Sequence, residues 1–458
     1  MKIDTLWRPA MLKKIIQLAL VGILGFLLVT PTTITFAEDP VPWEIWVNDF
    51  SDAPDFAHNS VCSAVSPTGG PCTLRAAIDE ANKCPDDPLA CELGVIIHVP
   101  SGTYDLSLAG ANENDNVTGD LDINAWEGIQ IIIEGDPVNP PVINANGIDR
   151  VFHILHNTAN SLVELRYLVI QGGHLEVNTA AGQTYQTGGG ISNSGNLWLT
   201  NVVIQVNQLT CVSTSDSNCY QAIGGGLFNS GVLSMNMSTI RNNLAARGGG
   251  IFHNNTVTVS QIFLSTISGN QSIQSGGGLE NYGRLSFINS TVSNNSAPFY
   301  GGIGNEGSGI LTLMNVTVAS NTSTNSNAAN LNNHADLTIM NSVIAYPGNL
   351  PTAVNCFNGG SWTMSGGNLY SDGSCPAGPG VVSSTDPRLS PLAWLGGPTM
   401  TRGLLKGSPA HDAYVGFCLN LTGGTVTIDQ RGLNRDSKCD LGAFEGVAYS
   451  IYLPAVKR

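Results

Sequence analysis

Runs of glycine recur through the middle of this 458-residue chain, and the repeat they mark fits few folds. The runs are Gly188–Gly190, Gly224–Gly226, Gly248–Gly250, Gly276–Gly278 and a shorter Gly301–Gly302. Each run precedes a short strand-like stretch and an asparagine, and these asparagines lie 36, 27, 25 and 26 residues apart: Asn207, Asn243, Asn270, Asn295 and Asn321. A repeat of about 25 residues without a helical pattern indicates a solenoid.

Strand-like segments between the glycine runs align with one another. Leu197-x-Leu199-x-Asn201 matches segments that end at Asn289, Asn315 and Asn341, with alternating apolar residues on one face. Another apolar residue follows three positions later, as a corner between two strands requires. We therefore predict an all-β, single-stranded right-handed parallel β-helix solenoid, in which these four asparagines stack as a ladder. A β-propeller, the alternative, has repeats nearer 40 residues.

The charge composition limits which partners the chain can bind, and the N-terminal segment indicates its cellular compartment. Only 12% of residues are charged and the formal net charge is −15, so no basic surface meets nucleic acid or an anionic membrane. Lys13 and Lys14, the apolar stretch 15–29 and the small-residue site around Ala37 predict a cleaved signal peptide over residues 1–37. An uncleaved N-terminal anchor is the alternative, and no membrane span is expected after cleavage.

The ten cysteines fall in close pairs, which favours disulfides in an exported chain. Sequential pairing is the interpretation we adopt, since each pair then closes one local loop. The pairs are Cys62 with Cys72, Cys84 with Cys91, Cys211 with Cys219, Cys356 with Cys375, and Cys418 with Cys439. The alternative, a zinc site, lacks Cys-x-x-Cys spacing and a histidine at ligand spacing.

Domain boundaries follow from where the repeats begin and degrade. After the signal peptide we expect an N-terminal cap over 38–94, β-helix coils over 95–346, terminal coils with a C-terminal cap over 347–446, and a tail over 447–458. In the N-terminal cap, Thr73 is a candidate helix N-cap. Leu74, Ala77, Ile78 and Ala81 share one face of the helix that follows. Such a helix can cover the open apolar end of a solenoid.

Motifs at both ends resemble those of a group of exported bacterial β-helix proteins. The segment Cys72–Ile78 (CTLRAAI) is similar to the CSLREAI motif of that group, with Thr73 for Ser and Ala76 for Glu. The segments 407–413 (GSPAHDA), 429–432 (DQRG) and 440–445 (DLGAFE) resemble the choice-of-anchor Q domain, with His411 in place of an aliphatic residue. The central repeats resemble the pectin-lyase-like β-helix and, more loosely, the chlamydial polymorphic outer membrane proteins. The resemblance implies secretion and surface display, with no established reaction.

One acidic loop has the composition of a calcium site. Glu113, Asp115, Asp120 and Asp122 lie within ten residues, around a glycine and two asparagines, and hard cations prefer such oxygen ligands. Structural calcium is the one cofactor we consider, with a solvated acidic loop as the alternative. His153 and His156 follow on a later strand, where core or surface roles are expected.

Catalytic groups are sparse along the central coils. Residues 188–345 contain four acids and three arginines but no lysine, whereas a glycosidase needs two positioned carboxylates and a calcium-dependent lyase needs a basic residue. Arg241, Arg247 and Arg284 can face an anionic sugar or pair locally. The charged residues of the C-terminal region are expected to form structural ion pairs: Asp412, Asp429, Arg431, Arg435, Asp440 and Glu445.

The sequence thus favours a non-catalytic exported protein for surface display, adhesion or glycan binding. A cell-surface glycan or protein is the expected partner. The alternative is a carbohydrate-active enzyme, a polysaccharide lyase acting on an acidic polysaccharide.

Overall fold

A computed structural model describes residues 42–83, 93–110, 113–126, 128–155, 160–177, 186–211, 219–325, 328–348 and 352–448. The predicted signal peptide, Cys84, Cys91, His156 and residues 449–458 lie outside the described residues. The described chain is an all-β, right-handed parallel β-helix solenoid with one α-helix, which confirms the predicted fold class.

Each coil contributes a strand to three faces, and every face is a stack of parallel strands. The first face contains Trp43–Trp46, Val95–Val99, Gln130–Gly135, Leu162–Arg166, Asn196–Thr200, Val232–Asn236, Ser260–Phe263, Arg284–Ile288, Ile310–Met314 and the first halves of Asp336–Ala345 and Ser361–Tyr370. The second face contains Thr103–Asp105, Val142–Asn144, Val169–Gln171, Val203–Gln205, Thr239–Arg241, Thr266–Ser268, Thr291–Ser293, Thr317–Ala319, the second halves of those two long strands, and Val381–Val382. The third face contains Leu121–Ile123, Phe152–Ile154, Ile191–Asn193, Leu227–Asn229, Ile251–His253, Leu279–Asn281, Ile303–Asn305, Ala328–Asn333 and Val354–Asn358.

Shorter strands complete the coils between the second face and the third. They are His174–Val177, Gln186–Thr187, Gln208–Cys211, Ala222–Ile223, Leu244–Arg247, Gln271–Ser275, Ser296–Ala297 and Thr322–Ser323. A single 3-10 turn, Cys219–Gln221, precedes Ala222 among the described residues. One antiparallel pair, Tyr414–Val415 with Lys438–Cys439, lies in the C-terminal region.

The hydrogen-bonded asparagine columns lie at other positions than the predicted ladder, and a shorter one on the third face joins Asn281, Asn305, Asn333 and Asn358. Asn201, Asn289, Asn315 and Asn341 all adopt positive φ, between 46° and 55°, where the chain bends from the first face to the second. The longest ladder joins buried asparagines between the second face and the start of the third, whose Nδ2 groups donate to the next Oδ1 at 2.7–3.0 Å: Asn207, Asn243, Asn270, Asn295, Asn321, Asn330 and Asn355. Asparagine is favoured at the bend because it tolerates the left-handed backbone conformation. It is favoured in the ladder because its side-chain amide both donates and accepts hydrogen bonds.

The glycine runs and this ladder require one another. A Cβ atom on Gly250 would lie 2.5 Å from the carbonyl oxygen of Gly278 and 2.9 Å from Nδ2 of Asn270. No larger residue fits where the backbone passes this close to the ladder. This contact explains why each glycine run in the sequence is accompanied by a repeat asparagine.

The single helix, Leu74–Lys83, packs on the first coils as predicted. Oγ1 of Thr73 accepts the backbone N–H of Ala76 at 3.1 Å, which makes Thr73 the N-cap. Leu74, Ala77, Ile78 and Ala81 all belong to the main core. The opposite side of the helix is buried as well, because the segment before the helix covers it.

The C-terminal region packs along the flank of the solenoid. Thr399, Thr401 and Gln430 form hydrogen bonds with the bend and second face of coils between Leu264 and Thr291. Leu389, Leu404, Leu441 and Phe444 build a second core against the outside of Ala319, Val343 and Ala345. The small second-face residues leave room for this contact.

Four of the predicted cysteine pairs are disulfides in the described chain. They are Cys62–Cys72, Cys211–Cys219, Cys356–Cys375 and Cys418–Cys439. Each closes a loop of 8 to 21 residues, so each tethers a local segment. Among the described residues, no helix is long and apolar enough to cross a bilayer.

Candidate functional site

The third face carries a continuous row of outward side chains. Its strands alternate, so that in Leu227–Asn229 the two end residues are buried and Phe228 points outward. The strand register aligns Phe228 with one residue from each of the remaining third-face strands. These residues are Asp122, His153, Ser192, Phe252, Glu280, Gly304, Asn332 and Phe357. Neighbouring members are about 4.8 Å apart along the axis. We call this set the third-face row.

Aromatic rings form the floor of a depression in the middle of this row. The rings of Phe228 and Phe252 stack with centroids 6.0 Å apart, and those of Phe252 and Tyr282 at 5.5 Å. The depression has a volume of about 350 Å³. Its lining adds Ile223, Arg247, Asn254, Thr256 and Ser308 to the three rings. Aromatic faces beside a few amide and hydroxyl groups are the usual lining of a small-molecule site.

Arg247 and Glu280 form an ion pair at the edge of the depression. Nη2 of Arg247 lies 2.5 Å from Oε1 of Glu280 and 2.6 Å from the hydroxyl of Tyr282. Its guanidinium carbon lies 5.2 Å from the centroid of the Phe252 ring and 5.4 Å from that of Tyr282, within the range of cation–π attraction. Burial works to lower the pKa of Arg247, but the Glu280 carboxylate outweighs it and the pKa is raised. Arg247 therefore stays charged and paired.

A second carboxyl group lies beyond Glu280 on the same face. Glu306 directly follows the strand Ile303–Asn305, and one carboxylate oxygen accepts Nδ2–H of Asn332 at 2.9 Å. Burial raises the pKa of Glu306, and the neighbouring His334 opposes the shift. Gly304 leaves space in the row for the ring of Tyr300, since a Cβ there would lie 2.4 Å from that ring.

Asp122 of the acidic loop is the first member of the same row. Of the four predicted calcium ligands, Asp120 and Asp122 lie together, whereas Glu113 and Asp115 have other contacts or surroundings. Asp122 pairs with His153, with Oδ1 and Nδ1 3.1 Å apart, and Asp120 lies 2.8 Å from Nε of Arg150. One ligand atom from each of Asp120, Asp122 and His153 lies within 4.8 Å of the others. Burial raises the pKa of Asp120 to about 8, against the attraction of Arg150.

The two earlier acids of this loop are used differently. Glu113 accepts the backbone N–H groups of Asp115, Val117 and Thr118 at 2.7–2.9 Å, so it shapes the loop. Asp115 is exposed. A cation near Asp122 would therefore meet two carboxylates and an imidazole, a mixed set that favours a transition metal over calcium.

Arg241 and the charged residues of the C-terminal region form local contacts. Arg241 donates to Oε1 of Gln205 at 2.7 and 2.9 Å on the second face. In the C-terminal region Arg435 pairs with Glu445 at 2.9 Å and Arg431 with Asp429 at 2.7 Å, while Asp412 lies 3.2 Å from Nζ of Lys438. Asp440 accepts the backbone N–H groups of Asp412 and Gly446. These contacts order the C-terminal region.

The third-face row was not predicted as a site from the sequence. Glu280 lies within the strand Leu279–Asn281, whereas Glu306 directly follows Ile303–Asn305, the next strand of the same face. The aromatic members were not considered. The available signal was the residue two positions after each glycine run's last glycine, which is Phe228, Phe252 and Glu280 in three successive coils.

Comparisons with known proteins place no family on this chain. No family model matches it, and no curated protein matches it. The solved structure of pectate lyase Pel9A aligns over 88% of this chain and 96% of its own, with a TM-score of 0.44 and 14% identity. A family 28 exopolygalacturonase from Yersinia enterocolitica aligns over 72% and 78%, with a TM-score of 0.20 and 12% identity. Likenesses this distant carry no argument about activity.

Proposed function

We propose that this chain is an exported, non-catalytic β-helix protein that binds glycans on its third face and displays that surface to other cells or polymers. The observation that carries the proposal is the aromatic depression built by Phe228, Phe252 and Tyr282. Aromatic rings pack against the apolar C–H faces of sugar rings, while nearby amides and hydroxyls bond to sugar hydroxyls. The rigid strand register keeps the rings in place before binding, which lowers the entropic cost.

The same row gives room for a polymer. Its members repeat at about 4.8 Å, which is close to the length of one sugar unit in an extended chain. The exposed ring of Phe357 lies four strands beyond Phe252 and contacts His334 in a tilted arrangement, with ring centroids 5.1 Å apart. A glycan running along the axis can thus contact two aromatic positions.

A glycan array followed by titration calorimetry tests the proposal. Tyr282→Ala and Phe228→Ala should each weaken binding about tenfold or more, as expected for aromatic anchors. Trp198→Ala is the matched control, because Trp198 is an exposed aromatic residue on the first face. Binding that is absent from the array, or equally reduced by the control, would refute the proposed site. Thermal unfolding of each variant checks that it folds.

The carbohydrate-active alternative draws on Glu280 and Glu306. Two carboxyl groups in different environments, one ion-paired and one with a raised pKa, are a pattern that glycan-cleaving enzymes use. A lyase needs a basic group to remove a proton, yet residues 188–345 contain no lysine and Arg247 is paired. Release of shortened products, saturated from a hydrolase or unsaturated from a lyase, from polygalacturonate or alginate with calcium, abolished by Glu306→Gln, would favour the enzyme over the binding protein.

A further inference from the structure

We infer that the third-face depression selects uncharged glycans and excludes uronate polymers, and that the Arg247–Glu280 pair sets this selectivity. The inference rests on the proposed glycan-binding function and names its ligand class. It gives Glu280 a specific role: this residue neutralises the one cation among the described residues that line the depression.

The geometry ties Nε and Nη2 of Arg247 to partners within the chain and neutralises the charge of the guanidinium. Both Nε and Nη2 donate to Glu280, at 3.1 and 2.5 Å from Oε1, and Nη2 also contacts the Tyr282 hydroxyl. The Glu280 side chain is 1% exposed, so water does not weaken its attraction for the guanidinium. Ser275 donates its hydroxyl to the other carboxylate oxygen, Oε2, at 2.9 Å, which holds the acid in place. A uronate carboxylate would have to displace this buried acid.

The surroundings repel anions further. Glu306 lies on the adjoining coil of the same face, and the whole chain carries a formal charge of −15. Asn254, Thr256 and Ser308, the polar residues of the lining, are uncharged. Sugar hydroxyls can bond to these groups, whereas a polyanion would lose hydration without gaining a counter-charge. The shape of the depression and its aromatic rings favour a glycan, and the negative charge around it favours an uncharged glycan.

Replacing Glu280 should allow the depression to bind uronate glycans. Glu280→Gln keeps the volume and the hydrogen-bonding oxygen but frees the positive charge of Arg247 at the edge of the depression. We expect affinity for oligogalacturonate to rise about tenfold or more, because a charge-assisted pair becomes available to the ligand. Affinity for uncharged oligosaccharides should change by less than about threefold, which is below 1 kcal/mol.

Titration calorimetry with cello-, xylo- and manno-oligosaccharides against oligogalacturonate and oligoalginate tests the inference on the wild-type chain. We expect binding to at least one uncharged series, with an affinity that stays constant between low and high salt, and no uronate binding at either. This readout needs no variant, so it holds if Glu280→Gln fails to fold. Salt-sensitive uronate binding by the wild type would overturn the inference while supporting glycan binding. Failure of every glycan to bind would overturn both.

Discussion

Asn270 donates its side-chain amide to Oδ1 of Asn295 on the next coil at 3.0 Å. Its own Oδ1 accepts both the backbone and the side-chain N–H groups of Asn243, each at 3.0 Å. The same Nδ2 group also reaches the carbonyl oxygen of Ile240. One fully buried side chain therefore satisfies polar groups on both neighbouring coils, where water has no access.

Replacing Asn270 should be strongly destabilising. Asn270→Ala leaves several buried donors and acceptors without partners, and each costs about 1–3 kcal/mol, so we expect the free energy of unfolding to fall by about 3 kcal/mol. Chemical denaturation measures the change. Asn139→Ala is the control, because Asn139 is exposed and should shift the free energy by less than about 0.5 kcal/mol. Equal stability of the two variants would show that the ladder contributes little.

The fold was predictable because each coil of a solenoid repeats the same pattern of residues in the sequence. Leu197, Leu233, Leu285 and Leu311 occupy the same position in their coils, because parallel strands stack equivalent residues directly over one another. The choice of ladder was not predictable. Asn289 is fixed by its positive φ and Asn295 by its hydrogen bonds, yet both appear in the sequence simply as repeated asparagines.

The site depends on the exact register, which the sequence leaves ambiguous. Arg247 and Glu280 are 33 residues apart, and aligning them requires knowing that Gly248–Gly250 and Gly276–Gly278 begin equivalent turns with unequal spacing before them. The flank contact of Gln430 spans 139 residues, and no local pattern encodes a partner at that distance. Motif resemblance marked Gln430 as notable without locating what it contacts.

Gln430 should hold the C-terminal region against the solenoid. It is fully buried, accepts the Thr291 hydroxyl at 2.6 Å, and donates to groups that include the carbonyl oxygen of Ser265. Gln430→Ala should lower the free energy of unfolding by about 2–3 kcal/mol, because these polar groups stay buried without partners. Limited proteolysis should cut the C-terminal region earlier than in the wild type. Thr427→Ala, at an exposed position of the same region, should leave the cleavage rate unchanged.

Asp79 should make stability fall as pH rises. Burial raises its pKa to about 7 from an ordinary 3.8, although Arg75 and the hydrogen bonds from Asp55 and Asn116 oppose the shift. The folded state therefore binds this proton more tightly than the unfolded state. Its contribution is complete below about pH 4 and is lost as pH rises through 7.

The melting temperature between pH 4 and 8 measures this linkage. Asp79→Asn does not titrate, so its curve should decline less steeply than that of the wild type. Only the slopes are compared, because the amide also changes the local hydrogen bonds. Asp115→Asn, at an exposed position, should retain the wild-type slope. Parallel curves for wild type and Asp79→Asn would contradict the raised pKa.

A divalent cation, if it binds the acidic loop, should use Asp120, Asp122 and His153 in place of Glu113 and Asp115. The expected order of stabilisation is Zn²⁺ or Mn²⁺ above Ca²⁺, because an imidazole joins the two carboxylates. Saturating ion should raise the melting temperature by about 2 °C or more. Asp122→Asn should remove the shift, and Arg150→Gln should enlarge it, since Arg150 neutralises Asp120 at 2.8 Å. A calcium-specific shift lost in Glu113→Gln or Asp115→Asn would instead support the ligand set expected from the sequence.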